Sequence, residues 1–403
     1  MQLVDYFILI VTVLVIGILF SKPVRRNRFW QATVTPLASI IGSGFLIAAP
    51  ILGEVVGSEA PLAMIVIVVF AYFLGGVIRF NIRYTETRLA STGAPRSLKS
   101  MELASNLAVF GAYLISVAFY IRLMAAFVLK GFEADTDLNA NIVTTVILVI
   151  IGLVGLFRGL KSLEILEEYS VSIKLSIIAA LFFGLAYAIF QNGYETQGLT
   201  GHPFNQHTIA LLAGMLLVVQ GFETSRYLGD EYETEMRISS MRLAQIVSGL
   251  IYVAFALLVL PLLGSLTTKA DETAIIELSG LVSYVLPFLL IIAAAMSQFS
   301  AAIADTLGGG GLLKETSKSR IPARAGYAII AVGAILLVWN ANIFEIVAIA
   351  SRAFAFYYLT QTLIALQSVT TVYSGKKAVA LFLWFSLLAA LLAWVVVFAV
   401  SVE

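Results

Sequence analysis

The chain of 403 residues has no cysteine, only two histidines, and few charged residues, at 12%. The missing cysteines exclude disulfide bonds and thiol chemistry, although they do not identify a compartment. His202 and His207 lie in one predicted outer loop with no cluster of ligands around them, so no metal site is predicted. We also find no nucleophile–base pair and no cofactor fingerprint, which argues against an enzyme and against a bound cofactor.

The chain is instead rich in long apolar segments: 60% of its residues are hydrophobic, and the mean hydropathy is +0.97. A helix that crosses a bilayer needs about 20 mainly apolar residues. We count twelve such segments, with short connections that leave no room for a soluble domain. The sequence therefore predicts an all-α polytopic membrane protein with twelve transmembrane helices, the first of which is too long to be a cleaved signal peptide.

The basic residues fix the predicted orientation. Most of the 25 lysines and arginines fall in alternate connections, beginning with Lys22, Arg25, Arg26 and Arg28, while the opposite loops are mainly acidic. Cytoplasmic loops carry this excess of positive charge. We expect a multi-pass protein of the cell (cytoplasmic or inner) membrane with both termini outside. The net charge of +1 is spread over short loops, so it gives no support for nucleic-acid binding.

Two membrane segments contain glycine where a continuous helix would be expected. Gly42, Ser43 and Gly44 lie in the middle of one span, and Gln220 and Gly221 lie about twelve residues into another. Glycine is a poor helix former, and backbone freed inside a bilayer must be buried or line a cavity. Close helix packing is the alternative explanation for either site alone. Breaks at matching positions in two halves of a chain are typical of a transporter site.

The spans can be arranged as two units of opposite topology, each of which opens with a broken helix. An extra helix and basic loop occupy residues 1–30, the first five-helix unit 31–192, the second 193–370, and a peripheral helix 371–403. Inverted repeats of this kind allow alternating access by rocking one part against another.

Several stretches resemble the amino acid–polyamine–organocation (APC) superfamily over most of residues 33 to 370. The similarity lies in four stretches: Ile40-Ile41-Gly42-Ser43-Gly44-Phe45, Ile173-Lys174-Leu175, Gly221-Phe222-Glu223 with Gly229-Asp230-Glu231, and Ser297 to Pro322. The resemblance implies a LeuT-type fold, with ten core helices in a 5+5 inverted repeat. The extra first helix and the Ser297 and Ser300 pattern are also similar to the sodium/solute symporter branch of that fold.

Five ionisable residues lie within predicted spans. Burial of a charge in the membrane is costly, so each of them is expected to have a functional or structural role. The resemblance implies that the Lys174 ammonium can take the place of a sodium ion beside Ser297 and Ser300, although a lysine that snorkels to the inner interface is the alternative. We expect Arg352 near the midplane, paired with Glu223 or with an anionic substrate. Arg122 and Asp305 are expected at the outer and inner interfaces.

Together these features predict a secondary active transporter that couples a cation, in our reading a proton, to symport of a small amino acid or related zwitterion. Amides at Gly42, Ser43 and Gly44 would bind the carboxylate, and the region of Gln220, Gly221, Phe222 and Glu223 would meet the amine. The expected partners are a small-molecule substrate, a proton or sodium ion, and the lipid bilayer. The alternatives are a sodium-coupled symporter of an organic acid or other solute, and a membrane ligand sensor on the same fold.

Overall fold

The computed structural model describes residues 3–42, 44–91, 93–160, 165–196, 199–229, 231–266 and 271–401, of which the side chains of 165–168 and 217 are not described. Within these ranges the chain is helical, with no β-strand. The all-α polytopic fold predicted from the apolar segments is confirmed.

The described residues of the first half of the chain form nine α-helices, joined in part by other helical turns. They are α1 (Leu3–Leu19), α2 (Lys22–Arg25), α3 (Arg28–Gly42), α4 (Phe45–Val56), α5 (Ala60–Phe80), α6 (Glu86–Ala90), α7 (Arg96–Lys130), α8 (Asp137–Phe157) and α9 (Ile165–Asn192). A 3-10 turn (Gly57–Glu59) precedes α5, and a π-helical segment (Asn81–Thr85) joins α5 to α6.

In the second half, the residues that the structure describes form seven α-helices and two 3-10 segments. The helices are α10 (Gln206–Ala213), α11 (Thr234–Leu263), α12 (Ala274–Gly280), α13 (Leu286–Thr316), α14 (Ala323–Val338), α15 (Ile343–Val372) and α16 (Gly375–Phe398). The 3-10 segments, Leu216–Val219 and Phe222–Leu228, follow α10.

Eight helical stretches of the described residues are long and apolar enough to cross a bilayer, and two shorter helices, α1 and α14, are also apolar. One of the eight, Arg28–Ala90, is 63 residues long and contains both α3–α4 and α5. Because one crossing takes about 20 residues, that stretch is longer than a single span. The total of twelve crossings and the 5+5 repeat stay predictions.

The core forms where long helices pack together. α7 packs extensively against α13 and α15, and α3 packs against α11. α1 lies against α9, and α16 lies against α15, so the two terminal helices flank this core. This arrangement places α3, α11 and the segments after α10 side by side, which brings the two glycine-containing regions into one part of the molecule.

Candidate functional site

The first predicted helix break is present. α3 ends at Gly42 and α4 begins at Phe45. Between them Gly44 has a φ of 149°, a conformation that residues with a side chain rarely adopt, and glycine supplies it without a steric penalty. Ser43 lies outside the described residues. The glycine pattern thus locates the interruption correctly, and the substrate-binding roles of Gly42, Ser43 and Gly44 stay predictions.

The second predicted break is also present and is longer than the first. α10 ends at Ala213, a short 3-10 segment follows, and the chain then turns at Gly221, where φ is 117°. A second 3-10 segment starts at Phe222. Gln220 is buried, and its side-chain amide donates to the Tyr120 hydroxyl on α7 at 3.0 Å.

The two breaks contact each other. A Cβ atom added to Gly44 would lie 2.6 Å from Cγ1 of Val218, and one added to Gly221 would lie 2.7 Å from the backbone nitrogen of Ile40. The Tyr252 hydroxyl of α11 is 2.9 Å from the Ile40 carbonyl and also reaches the Val218 carbonyl. A hydroxyl has one proton to donate, so Tyr252 shares it between the two interrupted segments.

Lys174 connects the first broken helix to α13. Its side chain is 4% exposed, and its Nζ donates to the Ala38 carbonyl at 2.9 Å and to the Ser297 hydroxyl at 3.1 Å. The ammonium therefore lies inside the protein, which excludes the alternative of snorkelling to the interface. Ser300 is also buried, and its hydroxyl donates to the Ser297 carbonyl one turn back in the same helix, at 3.1 Å.

Glu223 is fully buried just after the second break. One carboxylate oxygen accepts the Gly221 N–H at 2.9 Å and the Tyr358 hydroxyl of α15 at 2.6 Å. The other oxygen, Oε1, has no hydrogen-bond partner in the described structure. Phe222 stacks on the Tyr358 ring with centroids 5.0 Å apart. The carboxylate thus pins the broken segment with one oxygen and keeps acceptor capacity on the other.

The predicted pairing of Arg352 with Glu223 is wrong. Arg352 is exposed, and its guanidinium Nε donates to the Ala399 carbonyl at 2.7 Å, beyond the end of α16. α15 has 30 residues, so a position ten residues along it need not be the membrane midplane, and the arginine reaches carbonyl groups left without partners at a neighbouring helix end. Arg352 holds the carboxyl-terminal segment, and it has no hydrogen bond or ion pair with the described residues of the glycine breaks.

Arg122 and Asp305 are both buried in the protein, and their predicted interface positions stay predictions. Arg122 is buried and pairs with Asp137 at 2.6 Å and Glu272 at 3.3 Å, so two acidic residues from other parts of the chain compensate its charge. Asp305 is 3% exposed and accepts a hydrogen bond from the Ser116 hydroxyl of α7. Sequence reasoning missed these contacts because each of them joins separate helices or loops.

A cavity of about 620 Å³ lies between the two breaks and the face of the molecule that carries the basic loops. Asp305 and Gly308 of α13 line it, together with Tyr113 of α7 and Thr224 and Tyr227 beyond the second break. None of the described residues predicted from the glycine pattern lines this cavity. The tyrosines were missed because single aromatic residues in apolar spans carry no distinguishing signal.

Comparison with known proteins agrees with this architecture. A family model for APC superfamily transporters matches residues 22–399. The chain belongs to the APC superfamily of transporters. It is also 45% identical over 407 residues to an uncharacterized protein of Aquifex aeolicus (strain VF5), with 100% of this chain and 98% of that relative covered.

Solved structures show the same fold for this APC transporter. Two crystal structures of single-residue variants of an Eremococcus coleocola manganese transporter match it with a TM-score of 0.56, at 12% identity over 91% of this chain and 86% of theirs. Identity this low shows the fold alone. Family and fold together make the protein a multi-pass secondary transporter, and its cargo has to be inferred from its own residues.

Proposed function

We propose that this APC transporter is a proton-coupled symporter of a small amino acid or related zwitterion. In the proposed arrangement, residues 31–192 and 193–370 form the two inverted repeats of a LeuT-type fold. The protein would lie in the cell membrane with both termini outside. The observation that carries the proposal is the contact of Lys174 Nζ with Ala38 and Ser297, which ties the first broken helix to α13.

Lys174 can couple a proton to helix movement because its charge is part of this connection. An ammonium has three N–H donors, and two of them are directed at the Ala38 carbonyl and the Ser297 hydroxyl. A hydrogen bond from a charged donor is about twice as strong as a neutral one. Loss of the proton would therefore weaken the link between α3 and α13, and binding of a proton would restore it.

Glu223 supports a substrate with an amino group. Its Oε1 is a buried carboxylate oxygen with no partner in the described structure, and a buried charge of this kind gains most from a cationic hydrogen-bond donor. The start of α4 at Phe45 offers the positive end of a helix dipole to a carboxylate. A zwitterion would satisfy both ends. Because Gly44 and Val218 approach so closely, a small substrate fits the proposed site better than a bulky one.

The cavity on the basic face supports alternating access. In the proposed orientation it opens to the cytoplasm and ends near Tyr113 and Asp305, while the breaks above it are in contact. This corresponds to a state in which the inner path is open and the two breaks are closed against each other. Release of substrate would occur into this cavity after Thr224 and Tyr227 move with the second broken segment.

Uptake into proteoliposomes with pH and sodium gradients imposed separately tests the coupling. We expect a pH gradient, acidic outside, to drive accumulation of a small amino acid without sodium. Lys174→Ala should abolish gradient-driven accumulation, because nothing then joins Ala38 to Ser297. Lys314→Ala is the matched control, since Lys314 is an exposed lysine on the same helix as Ser297, and this variant should accumulate substrate normally.

A sodium-coupled carrier is the second candidate, because the Ala38 carbonyl and the Ser297 hydroxyl are oxygen ligands of the type that hold hard cations. Strict sodium dependence together with an active Lys174→Ala variant would overturn proton coupling in favour of this candidate. Accumulation of an organic acid but no amino acid would overturn the substrate assignment alone. If ligands stabilise the protein but no gradient drives uptake, a ligand sensor replaces the transporter.

A further inference from the structure

Arg79 of α5 is a buried guanidinium with no acidic partner. Its side chain is 9% exposed, and it donates to the side-chain oxygen of Gln245 on α11 and to the Tyr72 carbonyl at 3.3 Å. Its Cζ lies 4.8 Å from the centre of the Tyr72 ring. A guanidinium has five N–H groups, so these contacts use fewer than half of its donors. No carboxylate of the described residues lies within ion-pair distance of Arg79, which leaves its buried charge without compensation.

A second arginine lies on the neighbouring helix. Arg242 is exposed on α11, about one turn before Gln245, the residue that accepts a hydrogen bond from Arg79. Neither arginine has an acidic partner within ion-pair distance among the described residues. Arg83, about one turn beyond Arg79, differs because it contacts Glu235 at 2.5 Å. An anion that contacts both Arg79 and Arg242 would compensate both charges.

The position along the helices is that of a lipid headgroup. Arg79 lies about 28 Å along α5 from Ala60 at about 1.5 Å per residue, close to the roughly 30 Å thickness of the hydrocarbon core. The residues that precede it on the outer surface of α5 are exposed and apolar: Leu62, Val66, Val69 and Phe73. On α11 the exposed stripe beyond Arg242 is equally apolar: Ile246, Leu250 and Leu257. Both arginines thus lie where an apolar surface ends.

Gly76 lies against the guanidinium. A Cβ added to Gly76 would lie 3.7 Å from Nη2 of Arg79, so the missing side chain leaves this side of the nitrogen uncovered. Arg79 is nevertheless held firmly, because Gln245 also donates to the Ala71 carbonyl at 2.9 Å and so fixes the groove between α5 and α11.

We propose that this groove binds the phosphate of an anionic phospholipid, with Arg79 and Arg242 as its donors and the acyl chains along the two apolar stripes. Arginine suits phosphate because its planar fork can donate two parallel hydrogen bonds. Basic pockets between transmembrane helices are known to hold anionic headgroups. Because α11 also carries Tyr252, which contacts both helix breaks, a lipid here would stabilise the helix against which the candidate site is built.

Native mass spectrometry of the purified full-length protein tests the proposal. Phosphatidylglycerol and phosphatidylcholine are titrated in parallel, and we expect one phosphatidylglycerol to bind more tightly than any phosphatidylcholine. Arg242→Ala should weaken this binding about fivefold, the effect of one arginine near a membrane surface. Arg79→Gln should weaken it further. Arg96→Ala is the control, because Arg96 is an exposed arginine at the same predicted membrane face and should leave binding unchanged.

Arg79→Gln could fail to fold, but the test does not depend on it. Arg242 is exposed, so Arg242→Ala should fold and its phosphatidylglycerol binding can be measured. Equal binding of both lipids, or an Arg242→Ala variant that keeps the phosphatidylglycerol, overturns the site. A third titration uses inorganic phosphate: if millimolar phosphate displaces the lipid, the occupant is a soluble phosphate and the lipid assignment is wrong. None of these measurements involves transport, so the lipid site stands or fails independently of the proposed function.

Discussion

Gly44 shows how a single residue determines the geometry of the candidate site. Its φ of 149° is strained for any residue with a Cβ, and that Cβ would also lie 2.6 Å from Cγ1 of Val218. Two separate effects thus require glycine at this position. The first acts on the backbone alone, whereas the second depends on the neighbouring broken segment and can be removed by shortening Val218.

Gly44→Ala should lower the free energy of unfolding by about 1–3 kcal/mol from backbone strain and should strongly reduce uptake. Val218→Ala combined with it should recover part of the uptake, because the clash with Cγ1 is gone while the strain remains. Thermal unfolding and proteoliposome uptake measure both effects. Gly111→Ala is the control: Gly111 lies within α7 with nothing within 4 Å of an added Cβ, so the change should be neutral or stabilising. A Gly44→Ala protein as stable and active as the wild type contradicts this account.

Arg352→Ala tests whether Arg352 belongs to the carboxyl-terminal segment or to the substrate site. Because its guanidinium holds the Ala399 carbonyl and has no contact with Glu223, Arg352→Ala should leave the KM for substrate unchanged. Loss of a hydrogen bond from a charged donor should lower the free energy of unfolding by about 1.5–3 kcal/mol. Uptake kinetics and thermal unfolding of the same preparation check both values. A large rise in KM would return Arg352 to the substrate site.

At the scale of single residues, a feature could be predicted only when the pattern that indicates it lies within one segment of the sequence. Gly44 and Gly221 were predictable because glycine within an apolar span signals an interruption in the sequence itself. The contact of Lys174 with Ser297 was expected from the resemblance, since both residues belong to its matching stretches. The contact of Asp305 with Ser116 was not predicted, because Ser116 is 189 positions away and no local pattern reports such a contact.

At the scale of helices, a buried ion network holds the exit of the second broken segment. Arg226, on the 3-10 segment after the break, donates to Glu102 of α7 at 2.9 Å and lies 3.6 Å from Glu86 of α6. Arg237 of α11 reaches Glu86 at 2.8 Å. The 3-10 segment and α11 are joined here to Glu86 of α6 and Glu102 of α7, which lie at least 124 residues earlier in the chain, so movement of the broken segment has to rearrange these pairs. The sequence placed these residues in basic loops but could not pair them, because each contact is made between helices.

Removal of one partner from this network should be costly. Glu86→Ala leaves two largely buried guanidinium groups without their shared carboxylate, which should lower the free energy of unfolding by about 3–5 kcal/mol. Glu235→Ala is the matched control, because it breaks an exposed pair with Arg83 and should cost under about 1 kcal/mol. Thermal unfolding in detergent compares the two variants. Equal small effects would show that the network does not hold the segment in place.

For the whole molecule, the two ends are distinguished by their cavities. The cavity of about 620 Å³ next to Gly308 lies on the face of the basic loops, and a second cavity of about 600 Å³ next to His207 lies on the opposite face. Between them the glycine breaks are in contact. The molecule therefore has two possible entrances to one closed centre, as alternating access requires, and its orientation in the membrane determines which of them faces the cytoplasm.

Single-cysteine labelling decides that orientation, and the native chain needs no other change because it contains no cysteine. Gly308→Cys and His207→Cys place one thiol in each cavity, and both positions are exposed. A membrane-impermeant maleimide should label His207→Cys in intact cells, because acidic loops are predicted to face outward, and Gly308→Cys only in inverted membrane vesicles. Substrate with an inward pH gradient should slow labelling of Gly308→Cys, since the protein then spends less time open to the cytoplasm. Labelling of Gly308→Cys in intact cells would reverse the proposed topology, and an unchanged rate with substrate would show that this cavity does not take part in the transport cycle.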